Sequence, residues 1–175
     1  MMLKALFFTV LAIGLAAAYM LTTSHAEPLA QGAKAPTDAV LDQDGKPFDL
    51  AAAYKKGLTL VYFYPKADTP GCTKQACSLR DENAEITKAG IQIIGVSMDK
   101  PEAQKAFKEK YKLPFTLLAD PDGKIVAGFG VPTMRLGFSK RQSFLVKDGL
   151  IVWSDPDVSP ATHTAKVLAA AAKLK

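Results

Sequence analysis

Between Leu58 and Ser97 the chain reads strand, turn, helix, strand, and this order restricts the possible folds more than any other stretch. Leu58–Tyr64 is a continuous apolar run rich in β-branched and aromatic residues, the pattern of a buried central strand. Pro65 ends it, Asp68–Gly71 is turn-forming, and Cys72 stands where a helix begins, expected to run to about Ala89. Ile91–Ser97 is a second apolar strand, and connections this short make a right-handed βαβ unit with parallel strands. A thiol at a helix N-terminus faces unpaired backbone N–H groups and the positive end of the helix dipole, both of which favour thiolate. Cys77 follows five residues later. In an unbroken helix the two Cα atoms would be ~9 Å apart, too far for a disulfide without backbone movement. The sulfurs meet only if the start of the helix unwinds, which suits a reaction cycle better than a fixed cross-link.

Around this unit, Val40–Phe48 carries Asp44-Gly45 between two short extended pieces, a hairpin signal. Leu50–Lys56 has room for one or two helical turns. Asp99, Pro101 and Glu102 announce a helix through about Lys110, with Asp99 and Glu102 spaced as a capping box. Phe115–Leu118 is a short strand, Asp120–Gly123 a turn, Lys124–Phe129 a short helix closed by Gly130, and Val131–Lys140 a surface loop. Ser143–Val146 and Leu150–Trp153 flank Asp148-Gly149, a strong hairpin signal. Ser159-Pro160 reads as a cap and first turn, followed by an apolar stripe of Val167, Leu168, Ala171 and Leu174. The order βαβ, intervening segment, ββα predicts an α/β, thioredoxin-like fold with a central mixed sheet flanked by helices.

Residues 1–26 hold Lys4, an apolar run Ala5–Leu21, and small residues at Ser24 and Ala26, the pattern of a secretory signal peptide. The run of 17 residues is also near the lower limit for a spanning helix, so an uncleaved membrane anchor is the alternative. The expected organisation is a leader over 1–26 and a single domain over 27–175, exported to the periplasm or anchored facing it, with 27–35 a flexible lead-in. Without Lys4 the remaining 21 Lys and Arg stand against 17 acidic residues, a modest net charge of +4 spread along the chain. No basic cluster with interleaved aromatics is present, which argues against nucleic-acid binding. Two cysteines in an exported chain would ordinarily suggest a structural disulfide, but closing so short a loop gains little. Two cysteines and the single histidine left after cleavage, His163, lack metal-ligand spacing, so no metal or cofactor is expected.

Pro65, Thr69 and Cys72 form the pattern PxxxTxxC, and the longer string FYPKADTPGCTKQACSLRD resembles peroxiredoxins, in particular the bacterioferritin comigratory protein (PrxQ) branch. The likeness continues through GVSMDKPEAQKAFKEKY, FTLLAD and RQSFLV, covering most of residues 32–153. It implies a thiol-dependent peroxidase acting on hydrogen peroxide and organic hydroperoxides, with Cys72 as attacking thiolate. Thr69 would hold the peroxide through its hydroxyl, which both donates and accepts. Backbone N–H groups at Gly71 and Cys72 would serve the developing charge as an oxyanion hole does. Pro65 would shape the loop and shield the sulfur. Arg141, in RQSFLV, matches the family's catalytic arginine, and its planar fork can bind sulfur and oxygen together as lysine cannot. The resemblance further implies that Cys77 resolves the Cys72 sulfenic acid as an intramolecular disulfide. A monomer reduced by a thioredoxin-like dithiol protein is the corresponding expectation.

Two other readings compete. An exported thiol–disulfide oxidoreductase acting on protein cysteines would normally carry Cys-x-x-Cys, whereas the spacing here is Cys-x-x-x-x-Cys. A non-enzymatic exported binding domain with a structural disulfide is the third. Arg80 is expected to be a structural ion-pair residue, Arg135 a loop residue, and His163 a surface residue without a role. Trp153 and Phe144 suit the core, Asp120, Asp122 and Asp157 suit turns, and Tyr64 is the strand tyrosine placed to help shape a pocket.

Overall fold

The computed structural model describes residues 27–134 and 136–174; the expected leader, residues 1–26, and Arg135 lie outside the described residues. Among the described residues seven strands form one sheet in the order β2-β1-β5-β4-β3-β6-β7. They are β1 (Val40–Asp42), β2 (Pro47–Phe48), β3 (Leu58–Phe63), β4 (Ile91–Ser97), β5 (Thr116–Ala119), β6 (Gln142–Lys147) and β7 (Leu150–Asp155). The βαβ reading holds: β3 and β4 run parallel with Leu58 opposite Ile91, and β5 joins β4 in parallel. On its other side β3 pairs antiparallel with β6, Tyr62 opposite Ser143, which makes the sheet mixed. Both expected hairpins form, β1–β2 and β6–β7, the latter turning on Asp148 and Gly149 with positive φ at both.

The helices are α1 (Leu50–Tyr54), α2 (Pro70–Asp81), α3 (Asn83–Lys88), α4 (Pro101–Tyr111), α5 (Lys124–Gly128) and α6 (His163–Ala172). Alternation along β3 assigns its side chains to two cores. Val61 and Phe63 pack with α1 and α5 through Leu50, Tyr54, Ile125 and Phe129. Leu60, Tyr62 and Tyr64 face the opposite layer, where α2, α3, α4 and α6 contribute Cys72, Leu79, Ile86, Phe107 and Val167. With both faces covered, every β3 residue beyond Leu58 is buried, each large side chain stabilising the fold by about 1.5–3 kcal/mol.

Five local expectations are corrected. The helix expected to reach Ala89 breaks at Glu82, whose φ of −98° and ψ of 11° leave the helical region just before Asn83, a weak helix former. Lys100, not Asp99, occupies the N-cap of α4, because the Asp99 carboxylate is engaged by the loop before α2. α6 starts at His163 with Thr162 as its N-cap, so Ser159-Pro160 forms only the preceding turn. The lead-in is held in place: Gly32 and Ala35 donate to Ile151 and Gly149, and Ile151 donates back to Ala33. It thereby covers part of the edge strand β7. Finally, Asp120 is a turn residue but a buried one, its carboxylate accepting from the N–H of Val126 in α5 at 2.8 Å.

Candidate active site

The chain leaves β3 through Tyr64 and Pro65 and enters α2 at Pro70, whose missing N–H and fixed φ suit the first helical position. Thr69, extended at φ −93° and ψ 153°, accepts the first intrahelical bond from Thr73 N at 2.8 Å. Its side chain does not cap the helix; the hydroxyl donates to Lys66 O at 3.0 Å. Among the described residues the N–H groups of Gly71 and Cys72, in the first turn, therefore have neither a helical acceptor nor a side-chain cap.

The loop before α2 is fixed from two sides. Ala67 N donates to Asp99 at 2.7 Å, and Asp99 also accepts from Ser97 at 2.8 Å. Gln104 donates to Ser97 and to Leu118 O, and takes the Tyr64 hydroxyl on its own carbonyl. At the outer side Asp68, at φ +58°, is held by the Lys110 ammonium at 2.7 Å and the Tyr111 hydroxyl at 2.7 Å. Those two contacts, Lys110 first, hold its carboxyl below the ordinary carboxylate range.

Cys72 is 3% exposed, at the third helical position. Arg141, in the segment entering β6, places Nη2 at 3.4 Å from its sulfur while Nη1 donates to Gln75 Oε1. A Cβ on Gly71 would lie 3.3 Å from that same Nη2, so a side chain there would crowd the guanidinium. Behind the arginine, Gln75 Nε2 lies 3.1 Å from His163 Nδ1, and His163 Nε2 lies 2.8 Å from Ser143 Oγ. His163 is fully buried, and its pKa is lowered to about 4, chiefly by burial. Asp155 opposes that shift, while Arg141 and Lys166 add to it.

Cys77 is half-buried on the same unbroken α2, and both cysteines are free thiols. Five helical residues put their Cα atoms ~9 Å apart and roughly 140° around the axis. The Tyr62 hydroxyl, on the same side of β3 as Cys72, is buried without a hydrogen-bond partner among the described residues.

Residues 31–154 match the AhpC/TSA family. The chain belongs to that family. It is 42% identical over 125 residues to the chloroplastic peroxiredoxin Q of Suaeda salsa, a match covering 70% of this chain and 58% of that protein. The chain spans less than two thirds of the length of these plant relatives. Among solved structures, peroxidoxin BcpB of Mycobacterium tuberculosis superposes with a TM-score of 0.79 at 31% identity, covering 84% of this chain and 99% of that one. A bacterioferritin comigratory protein of Xanthomonas campestris, described for its alkyl peroxide reduction activity, gives 0.75 at 28% identity, covering 85% and 99%. The thioredoxin-like fold expected from the order of elements and the peroxiredoxin Q branch expected from FYPKADTPGCTKQACSLRD both hold.

In this chain the expected residues fall into one region. Pro65 is half-buried where the chain leaves β3, Thr69 caps the helix by position, Gly71 is exposed, and Arg141 alone of the described arginines touches Cys72. Arg80 is structural as expected, pairing with Asp81 at 2.7 Å and donating to Tyr111 O at 2.8 Å. Two expectations change. Tyr64 spends its hydroxyl on Gln104 and supports the loop from beneath, with its pKa raised by burial. His163 is not on the surface but at the buried start of α6. Gln75, Ser143 and His163 escape a reading by motif, yet two carried a signal. Gln75 lies three residues after Cys72, on the same helical face, and His163 extends the Val167–Ala171 stripe back by one i, i+4 step. Among the described residues no group of ligating side chains could hold a metal ion, and no helix is long and apolar enough to cross a membrane.

Proposed function

We propose that this chain is a peroxidase in which the Cys72 thiolate reduces hydrogen peroxide and organic hydroperoxides. The observation that carries the reading is the Arg141 guanidinium 3.4 Å from a buried sulfur at a helix N-terminus that none of the described side chains caps. Helix dipole and guanidinium both favour the anion. The free N–H groups of Gly71 and Cys72, with the remaining Arg141 donors, can bind peroxide oxygens as charge moves onto the leaving one. Thr69 can accept from the peroxide on its free lone pairs, and Pro65 closes the loop at the strand side.

Sulfur attacks one peroxide oxygen as the O–O bond breaks; the departing oxygen takes a proton and leaves as water or alcohol, and Cys72 is left as a sulfenic acid. The Cys77 thiolate then attacks that sulfur, expelling hydroxide that is protonated to water and forming the Cys72–Cys77 disulfide. The separation along α2 requires its first turns to unwind for this step. A thioredoxin-like dithiol protein would return two electrons, regenerating both thiols and leaving its own disulfide. The apolar run with small residues at Ser24 and Ala26 supports an exported enzyme, cleaved or membrane-held, whose donor shares that compartment. A single unit over 27–175 acting as a monomer completes the reading.

Steady consumption of hydrogen peroxide or an alkyl hydroperoxide in the presence of a dithiol tests it. Reduction of insulin disulfides without peroxide turnover would replace it with a thiol–disulfide oxidoreductase.

A further inference from the structure

The contacts behind Arg141 permit only one arrangement of protons. A guanidinium offers donors and no acceptor, so Gln75 must present its Oε1 to Arg141 and its Nε2 amide to His163. His163 Nδ1 then has to be an unprotonated acceptor, which puts the imidazole proton on Nε2, donated to Ser143 Oγ at 2.8 Å. Gln75, His163 and Ser143 are each fully buried, so no water shell stands ready to repair a mismatch. Protonate the ring and Nδ1–H meets the Gln75 amide protons. Rotate that amide to answer it, and its protons meet Arg141 instead. In either case two donors face each other, and the nearest partner able to move is the half-buried arginine.

We propose that His163 is a positioning residue for Arg141: its unprotonated Nδ1 fixes the Gln75 amide, which fixes the guanidinium against Cys72, so that protonating His163 uncouples cation from sulfur. The inference rests on the reading of Cys72 and Arg141 given above. The groups facing the ring agree with a neutral resting state. Asp155 on β7 is paired with Lys166 of α6 at 2.9 Å, and Arg141 approaches through Gln75. β3 contributes the Tyr62 ring, centroid 6.0 Å away, β6 contributes Ser143, and α2 contributes the uncharged Gln75. Burial holds His163 near a pKa of about 4, below neutrality but within reach of mild acid.

The test compares wild type, His163→Asn and His163→Phe in stopped-flow reaction with hydrogen peroxide across the acid range. Each rate constant is divided by the thiolate fraction measured from ultraviolet absorbance in the same buffer, which removes the titration of Cys72 itself. The normalised wild-type rate should fall on the order of tenfold or more as His163 protonates, the scale of losing a charge-assisted hydrogen bond. His163→Phe, lacking the acceptor, should be slower by a similar factor at all pH values. His163→Asn, whose Oδ1 can stand in for Nδ1, should recover most of that loss and show no acid fall. Should His163→Phe fail to fold, His163→Asn decides alone: an acid fall matching the wild type overturns the proposal. A His163→Phe rate equal to wild type, or a flat wild-type profile, also overturns it. Those results leave the peroxidase reading intact provided Cys72→Ser remains inert; a reactive Cys72→Ser would instead remove the reading beneath it.

Discussion

Replacing Arg141 by lysine isolates what the fork contributes beyond its charge. At the observed 3.4 Å, a unit charge pair is worth ~5 kcal/mol at an effective dielectric constant of ~20 and ~1 kcal/mol in bulk water. Arg141 is half-buried, so about 2–3 kcal/mol is the appropriate range, a factor of roughly 30–150 in rate for removing the cation as alanine. Lysine keeps the charge but not the geometry: one ammonium on a shorter stem cannot serve Cys72 and Gln75 together as Nη2 and Nη1 do. Arg141→Lys should therefore lose roughly tenfold, between wild type and Arg141→Ala. The assay is the second-order rate constant for one turnover with hydrogen peroxide, followed by stopped-flow, with circular dichroism verifying the fold. Rates within twofold of wild type for both variants would show that the contact with Cys72 does not act in the reaction.

Further consequences can be checked separately. Cys72→Ser should abolish turnover, while Cys77→Ser should consume about one equivalent of peroxide and stop as a sulfenate trappable by dimedone; loss of the first equivalent in Cys77→Ser would reverse the roles. Gly95→Ala should destabilise the fold by about 1–3 kcal/mol in urea denaturation, because a Cβ there would sit 2.7 Å from Leu117 Cδ2 and 2.8 Å from the Tyr62 ring. His163 titrates near its ordinary value of 6.5 when unfolded and at about 4 when folded, so the unfolded chain takes the proton first as pH falls. Stability present above pH 6.5 should then decline by roughly 3 kcal/mol on approaching pH 4. His163→Asn should flatten that part of the stability profile, and an unchanged slope would place the acid sensitivity elsewhere.

The parts of the molecule legible in the sequence are those whose chemistry is local. An apolar run followed by Pro65, a turn and Cys72 specifies a buried strand feeding a helix, and Asp148-Gly149 specifies the turn it forms. Arg141 is 69 residues from Cys72, and only family likeness singled it out; the sheet brings it near by pairing β6 beside β3. Gln75 and His163 stayed hidden because their roles depend on α6 docking against α2, a contact between elements 88 residues apart at that pair. A polar residue on a buried helical stripe, as His163 is, is the sign to read in such a chain. The lead-in departs from its expected flexibility for a related reason: its composition suits a loop, yet its backbone groups find partners along the β7 edge that no local pattern reveals.

The central claim is that Cys72 is an anion in the folded, reduced protein, and thiolate absorbance in Cys77→Ser measures it most directly, since one sulfur then accounts for the signal. On that claim the thiolate band should be present in the reduced, folded protein, should weaken in Arg141→Ala, and should vanish with one equivalent of hydrogen peroxide. A sulfur that gains its charge only in alkaline solution, with or without Arg141, and that ignores peroxide would contradict it.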